Sequence, residues 1–352
     1  MSKKKCNYVA VGGQALMEGI MMKGPEGTAM SLRLPDGSIE TTMKDFVSVR
    51  KKYKILNLPV IRGVVSFVES MIFGYKLLME SAEKTTLDME EENESKLDKW
   101  ITEHFGPKMM AVIGGISAVL GVGLAFLLFM WLPSFVFDLV NDKLAGGAIS
   151  DLRAIFEGLI RVVIFVVYMA LVARMKEIHR VYMYHGAEHK TITCYEEGKE
   201  LTVENVRGCS RVHDRCGTTF LFLVMLVSIL VFSLANVVAL KWLYTDIAWV
   251  NSLIRMAFKL LLLPVVAGVS YELLRALAKT DSKLLFIFKA PGLLLQRLTT
   301  REPADDMIEC AIAAFKAVLD MDADPTIPER SFATVGTMSD LLTATKKRFA
   351  KY

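Results

Sequence analysis

Most of the histidines and cysteines, the side chains best suited to hold a soft metal ion, fall in one short stretch. Four of the five histidines lie between His179 and His213, and three of the five cysteines between Cys194 and Cys216. At its centre is Tyr184-His185-Gly186-Ala187-Glu188-His189-Lys190. His185 and His189 are four apart, so a helix places both imidazoles on one face, where they can close on a single ion. Glu188 joins that face. H-x-x-E-H is the inverted zincin arrangement, in which two imidazoles hold zinc and the glutamate acts on water. Zinc, or another divalent metal, is useful there because it brings the pKa of water toward neutrality. Five histidines in 352 residues would produce roughly 0.07 such pairs by chance. The competing reading is a hydrogen-bonded His–Glu–His core, which also satisfies buried polar groups.

A third ligand has to come from outside this pair. Cys209-Ser210-Arg211-Val212-His213-Asp214-Arg215-Cys216 follows closely. His213 and Cys216 are the preferred candidates, with Cys209 behind them and Glu196, Glu197 and Asp214 as carboxylate alternatives. Cys216 also reads as a small packed residue, or as a nucleophile with His213 as its base. A Cys209–Cys216 disulfide is not expected in a reducing cytoplasm. His179 is expected at the surface, and His104 carries no assigned role.

The element positioning the pair reads as a helix. Ile178, Val181, Tyr182, His185, Glu188, His189 and Ile192 follow the i, i+3, i+4 rhythm. The pattern predicts that the preceding apolar segment continues into it as one helix. Gly186 argues mildly against a perfect helix, at about 1 kcal/mol relative to alanine.

That apolar segment is one of four long enough to cross a bilayer, which takes about 20 residues. The four run over residues 109–132, 154–173, 218–240 and 253–274. The chain is 53% hydrophobic, with a mean hydropathy of +0.38. Its 42 Lys+Arg against 38 Asp+Glu leave a net charge of +4, too balanced for a nucleic-acid binder. Five cysteines cannot all pair within the chain. The start, MSKKKCNYVAV, has no apolar core, so no cleavable signal peptide is expected. Residues 174–217 carry eight Lys/Arg (Arg174, Lys176, Arg180, Lys190, Lys199, Arg207, Arg211, Arg215), far more than the other loops. This bias predicts that loop, and both termini with it, on the cytoplasmic side of the cell membrane. Within the second and fourth spans, Glu157 is expected to pair across helices with Lys259; Arg161 and Arg255 accompany them. Structural ion pairing is favoured there over a headgroup or ion cavity.

Other segments are less apolar. In residues 55–79, Arg62, Glu69 and Lys76 recur every seven residues, which predicts an amphipathic helix at the interface or against the bundle. Residues 284–298 are interrupted at Pro291-Gly292 and read as an interfacial or re-entrant hairpin. Residues 28–34 and 38–44 flank Pro35-Asp36-Gly37, a hairpin turn signal. The preceding Gly- and Met-rich stretch contains no phosphate-binding loop pattern. Residues 83–99 form an acidic linker. Asp305–Leu319 is an amphipathic helix entered after Pro303, and the tail beyond Asp320 is expected to be loosely held. No internal repeat is present.

Three of these segments together resemble a known family. Gly12-Gly13-Gln14-Ala15-Leu16-Met17-Glu18-Gly19-Ile20-Met21-Met22, Tyr184–Lys190 and His213-Asp214-Arg215-Cys216-Gly217-Thr218 are similar to the YqhQ-like family of bacterial multi-pass membrane proteins. That domain of unknown function is often labelled a predicted metal-dependent enzyme. The resemblance runs from about Tyr8 to Leu319. It implies metal dependence without a substrate, and it adds Gln14 and Glu18 to the candidate site. Asp214 stands where the family pattern has proline.

The sequence therefore predicts a mainly α, polytopic membrane protein. A cytoplasmic β-containing cap occupies residues 1–54, and an amphipathic helix and linker residues 55–108. A four-helix membrane domain spans residues 109–274, an interfacial hairpin and helix residues 275–320, and a tail residues 321–352. The leading functional expectation is a membrane-embedded, metal-dependent hydrolase. His185 and His189 would hold zinc with His213 or Cys216, Glu188 would be the base, and Gln14 and Glu18 would approach from the cap. The bilayer is its expected partner, a membrane peptide or lipid-linked molecule its substrate, and nucleic acid is excluded. The alternatives are a scaffold or assembly factor whose His/Cys cluster is structural, and a small-solute or lipid transporter. Oligomeric state is not readable.

Overall fold

The computed structural model describes residues 11–25, 27–44, 46–86, 115–117, 119–213, 216–238, 247–278, 286–323 and 331–332. Four short strands near the N-terminus form an antiparallel meander: β1 (Gly12–Leu16), β2 (Gly19–Lys23), β3 (Thr28–Arg33) and β4 (Ile39–Lys44). The β3–β4 connection is the expected turn: Gly37 sits at φ +81°, and Asp36 Oδ1 accepts from the Ser38 N–H. β1 and β2 form a second hairpin through Met17-Glu18, with Leu16 opposite Gly19. The sequence shows no alternation there because the sheet is covered on both faces. One face packs Ile20, Met22, Ala29 and Ile39 against buried helices; the other packs Leu16, Met21, Met30 and Leu32 against Leu77.

Helix α1 (Ile61–Thr86) covers the second face. It also runs along the helical bundle, where Arg62 makes a double hydrogen bond to Glu272. Among the described residues, four helices are long and apolar enough to cross a membrane: Gly115–Lys143 (α2), Arg153–Val172 (α3), Gly217–Ala235 within α6 (Gly217–Val238), and Leu253–Leu277 within α7 (Ala248–Ala278). Between α3 and α6 lie α4 (Lys176–Glu196) and the short α5 (Val203–Arg207). The chain closes with α8 (Phe286–Thr299) and α9 (Asp305–Ala323). Helix α9, with Asp305 and Asp306 in its first turn, buries Met307, Ile308, Ile312 and Phe315 between the sheet and α4. Of the expected tail, residues 321–323 complete α9 and Ser331–Phe332 (β5) pairs with β4; its other residues and most of the acidic linker lie outside the described residues.

Two expectations are corrected. Residues 286–299 form one continuous helix, not a hairpin broken at Pro291-Gly292. Pro291 lies inside α8 and removes one hydrogen bond of its ladder without breaking it. Gly292 permits a close crossing instead: a Cβ there would sit 2.9 Å from the Thr219 Cα of α6. The second span also does not run on into the histidine helix. The chain breaks at Ala173–Met175, where Met175 is extended (ψ 136°), and α4 starts afresh at Lys176. The break frees α4 to lie against the sheet.

Among the span charges, Lys259 donates to Glu157 and to Ser134, and Arg153 bonds Glu157. This is the interhelical pairing expected from the sequence. Arg161 donates to the Phe129 carbonyl, inside a π-helical turn at Leu127–Trp131.

Candidate metal centre

The face of α4 carrying Val181, Tyr182, His185, Glu188, His189 and Ile192 lines a cavity of about 490 Å³. Strand β1 supplies Val11–Ala15 to the opposite wall. Met169 of α3 and Leu221 of α6 extend the cavity toward the apolar helices.

His185, His189 and Cys216 meet in this cavity, one donor atom of each lying within 4.8 Å of the others. The two imidazoles are 4.4 Å apart between centroids and inclined by 69°. Each is aimed by a backbone carbonyl. His185 Nδ1 contacts the Thr299 carbonyl at 2.9 Å, and His189 Nδ1 the Arg211 carbonyl at 2.6 Å. A carbonyl only accepts, so both Nδ1 atoms carry the proton and both Nε2 lone pairs are left for a ligand. Orientation of this kind is characteristic of metal-binding histidines. Cys216 stands at the entrance to α6, its Sγ 3.2 Å from His185 Nε2. The Thr218 N–H and hydroxyl donate to that sulfur at 3.5 and 3.3 Å.

Gly186 explains how Thr299 reaches His185. A Cβ at Gly186 would sit 2.0 Å from the Arg301 carbonyl oxygen, so only glycine admits the segment after α8 against α4. The Arg301 N–H donates to the Tyr182 carbonyl at 2.8 Å and locks the contact. The glycine that weakens the helix in the sequence is what lets the His185 imidazole be oriented.

Glu188 is buried in the same cavity wall. Burial pushes its carboxyl above the usual carboxylate range; His185, His213 and the Gly13 N–H partly oppose this. Its Oε2 has no hydrogen-bond partner among the described residues. Gln14 lines the cavity and turns its amide toward the Gly74 carbonyl of α1.

Two predicted residues are placed differently. His213 lines the cavity, but its Nε2 contacts Glu196 at 3.2 Å and its ring is 6.0 Å from that of His189, outside the three-ligand group. Glu18, at φ +49° in the β1–β2 turn, does not line the cavity; Arg180 and Tyr184 engage its carboxylate. Their pairing raises the Arg180 guanidinium, and burial raises the Tyr184 hydroxyl. Cys209 and Cys216 are both free thiols, and His179 is exposed. Asp214 lies outside the described residues.

Gln296 is a residue the sequence reading missed. Fully buried on α8, it accepts from the His213 N–H at 2.9 Å and donates to the His213 carbonyl at 2.8 Å, fixing the loop that delivers Cys216. Its signal was an amide inside the apolar run Leu293-Leu294-Leu295-Gln296.

A family described as a protein of unknown function (DUF1385) matches residues 58–321, from α1 through α9. The chain belongs to that family. It is 33% identical over 337 residues to the uncharacterized protein YqhQ of Bacillus subtilis (strain 168), covering 92% of this chain and 96% of that one. No solved structure matches. The DUF1385 match takes in His185, Glu188, His189 and Cys216, while β1 and Gln14 lie before it.

Proposed function

We propose that this chain is a membrane-embedded, metal-dependent hydrolase. One observation carries the reading: the convergence of His185, His189 and Cys216 donors, with both histidine Nδ1 atoms held on backbone carbonyls. Two imidazoles and a sulfur suit zinc, and His185, His189 and Cys216 would hold it. A divalent ion bound there supplies Lewis acidity and makes water acidic enough to ionise near neutral pH.

The chain's own groups account for the remaining steps. Glu188, buried against Gly13 beside the cluster, takes a proton from the attacking water and passes it to the leaving group. The water oxygen joins the acyl or phosphoryl centre as the bond to the leaving group breaks. Thr299 and Arg211 hold the imidazoles, and Gln296 holds the loop bearing Cys216. Met169 and Leu221 at the cavity's apolar end favour a substrate reached from the bilayer. The Lys/Arg bias of residues 174–217 supports a site on the cytoplasmic side.

Elemental analysis of purified protein tests the reading. One equivalent of zinc is expected, lost in His185→Ala with helical content retained. Glu188→Gln should keep the metal and lose function. Metal-free protein from metal-replete cells, taking up none on titration, would overturn it.

A second reading rests on the 3.2 Å contact between Cys216 Sγ and His185 Nε2. It makes Cys216 a nucleophile with His185 as its base, in place of the His213 expected from the sequence. Added zinc distinguishes the two: it should protect Cys216 from alkylation and sustain activity in the first case, and inhibit in the second.

A further inference from the structure

Resting on the hydrolase reading and deepening it, we infer that the substrate is an extended peptide that binds as an additional strand on the edge of β1. β1 is an outer strand of the sheet and pairs with β2 alone among the described residues, whereas β5 covers β4 at the opposite side. Gly12 and Gly13 on that edge are exposed and carry no side chains to screen it. Unpaired strand edges accept peptide backbone directly, and natural proteins usually block them.

The edge runs past the candidate metal centre. A Cβ at Gly13 would sit 3.0 Å from the Glu188 Cδ and Oε1, so the Glu188 carboxyl lies directly against this stretch of β1. A strand laid there would bring its own peptide groups beside Glu188, His185 and Cys216.

The faces of the sheet supply a second, independent argument. Side chains of an added strand alternate between faces. β1 has a cavity on each side. The 490 Å³ cavity lies on the face where Val11 and Ala15 pack with α4. A second cavity of about 460 Å³, lined by Met21, Phe46 and Phe73, lies on the α1 face. Gly12, Gly13 and Gln14 border both. Two recesses on opposite faces of one strand edge match the period-two side chains of a peptide; a single acyl chain would need only one. Hydrolysis would add water across one amide, its oxygen to the carbonyl carbon and its protons to the departing amine and solvent.

Hydroxamate probes of zinc-loaded full-length protein test this by calorimetry. Acetohydroxamate reads the metal centre alone. Peptidyl hydroxamates carrying two leucines on one or the other side of the hydroxamate read the edge, and dodecanoyl hydroxamate reads a lipid-like tail. At least one peptidyl probe should bind tenfold or more tighter than acetohydroxamate and tighter than the dodecanoyl probe. N-methylation of its amides should abolish the gain. Gly12→Val, whose side chain enters the recess on the α1 face, should weaken the peptidyl probe more than acetohydroxamate; a Cβ at Gly12 meets nothing within 4 Å. A gain that survives N-methylation, no gain, or a larger gain for the dodecanoyl probe overturns the peptide assignment and leaves the metal reading standing. Failure of every probe, acetohydroxamate included, overturns both.

Discussion

Replacing Gly186 by alanine sets two effects of opposite sign against each other. Helix propensity alone makes Gly186→Ala stabilising by about 1 kcal/mol. The packing opposes it. The new Cβ would lie 2.0 Å from the Arg301 carbonyl oxygen, so the backbone after α8 must retreat by roughly 1 Å to restore a normal contact, an overpacking cost of about 1–3 kcal/mol. That retreat also pulls the Thr299 carbonyl from His185 Nδ1, leaving a part-buried donor unpaired at about 1–3 kcal/mol more. The expected net loss is therefore about 1–5 kcal/mol. Loss of an orienting partner should also weaken metal binding by about 10–100-fold. Thermal unfolding in detergent reads the first quantity, and competition with a zinc chelator the second. An alanine variant more stable than the parent and equal to it in zinc affinity would refute the idea that the glycine exists to aim the ligand.

Other outcomes follow from neighbouring contacts. Glu188 is raised by burial, so its contribution to stability is fully present below the unfolded carboxyl pKa and is lost as pH rises through the folded one. In metal-free protein, Glu188→Gln should remove that decline, with melting temperatures converging at acid pH and the variant ahead at pH 7. Gln296→Ala should cost about 1–3 kcal/mol and lower zinc affinity through the Cys216 loop, both read by the same melts and competition. Lys259→Met leaves the buried Glu157 with less compensation and should destabilise by about 3–5 kcal/mol, with zinc content unchanged by elemental analysis. Burial pushes the Cys310 thiol up to about 12 while it donates to the Ser31 carbonyl. It should resist iodoacetamide at pH 8 in the native state and react only after unfolding, as peptide mapping will show.

The parts of the protein legible in its sequence are those whose information is local. His185, Glu188 and His189 could be placed together because a helix converts spacing into direction, and Cys216 was named because the chain returns close by. The Pro35-Asp36-Gly37 turn fixed one hairpin. The β1–β2 hairpin escaped because β2 and β3 are buried on both faces, leaving no polar alternation to read. The carbonyls of Thr299 and Arg211 escaped for a different reason: every residue has one, so nothing in the residue type marks those that orient an imidazole. Glu18 was drawn into the site by its neighbours in a motif, whereas Arg180 provides a separate partner. Pro291-Gly292 read as a chain break because both residues weaken helices, but the glycine serves the crossing with α6. The break at Ala173–Met175 falls in a run with no proline or glycine to announce it.

The Thr299 carbonyl reaches His185 across more than a hundred residues of chain. During synthesis, both imidazoles leave the ribosome long before the group that aims one of them exists outside the tunnel. The orientation of His185 must therefore wait for the C-terminal third to be translated and docked, and a chain stopped short of Thr299 would carry every proposed ligand yet hold one of them loosely.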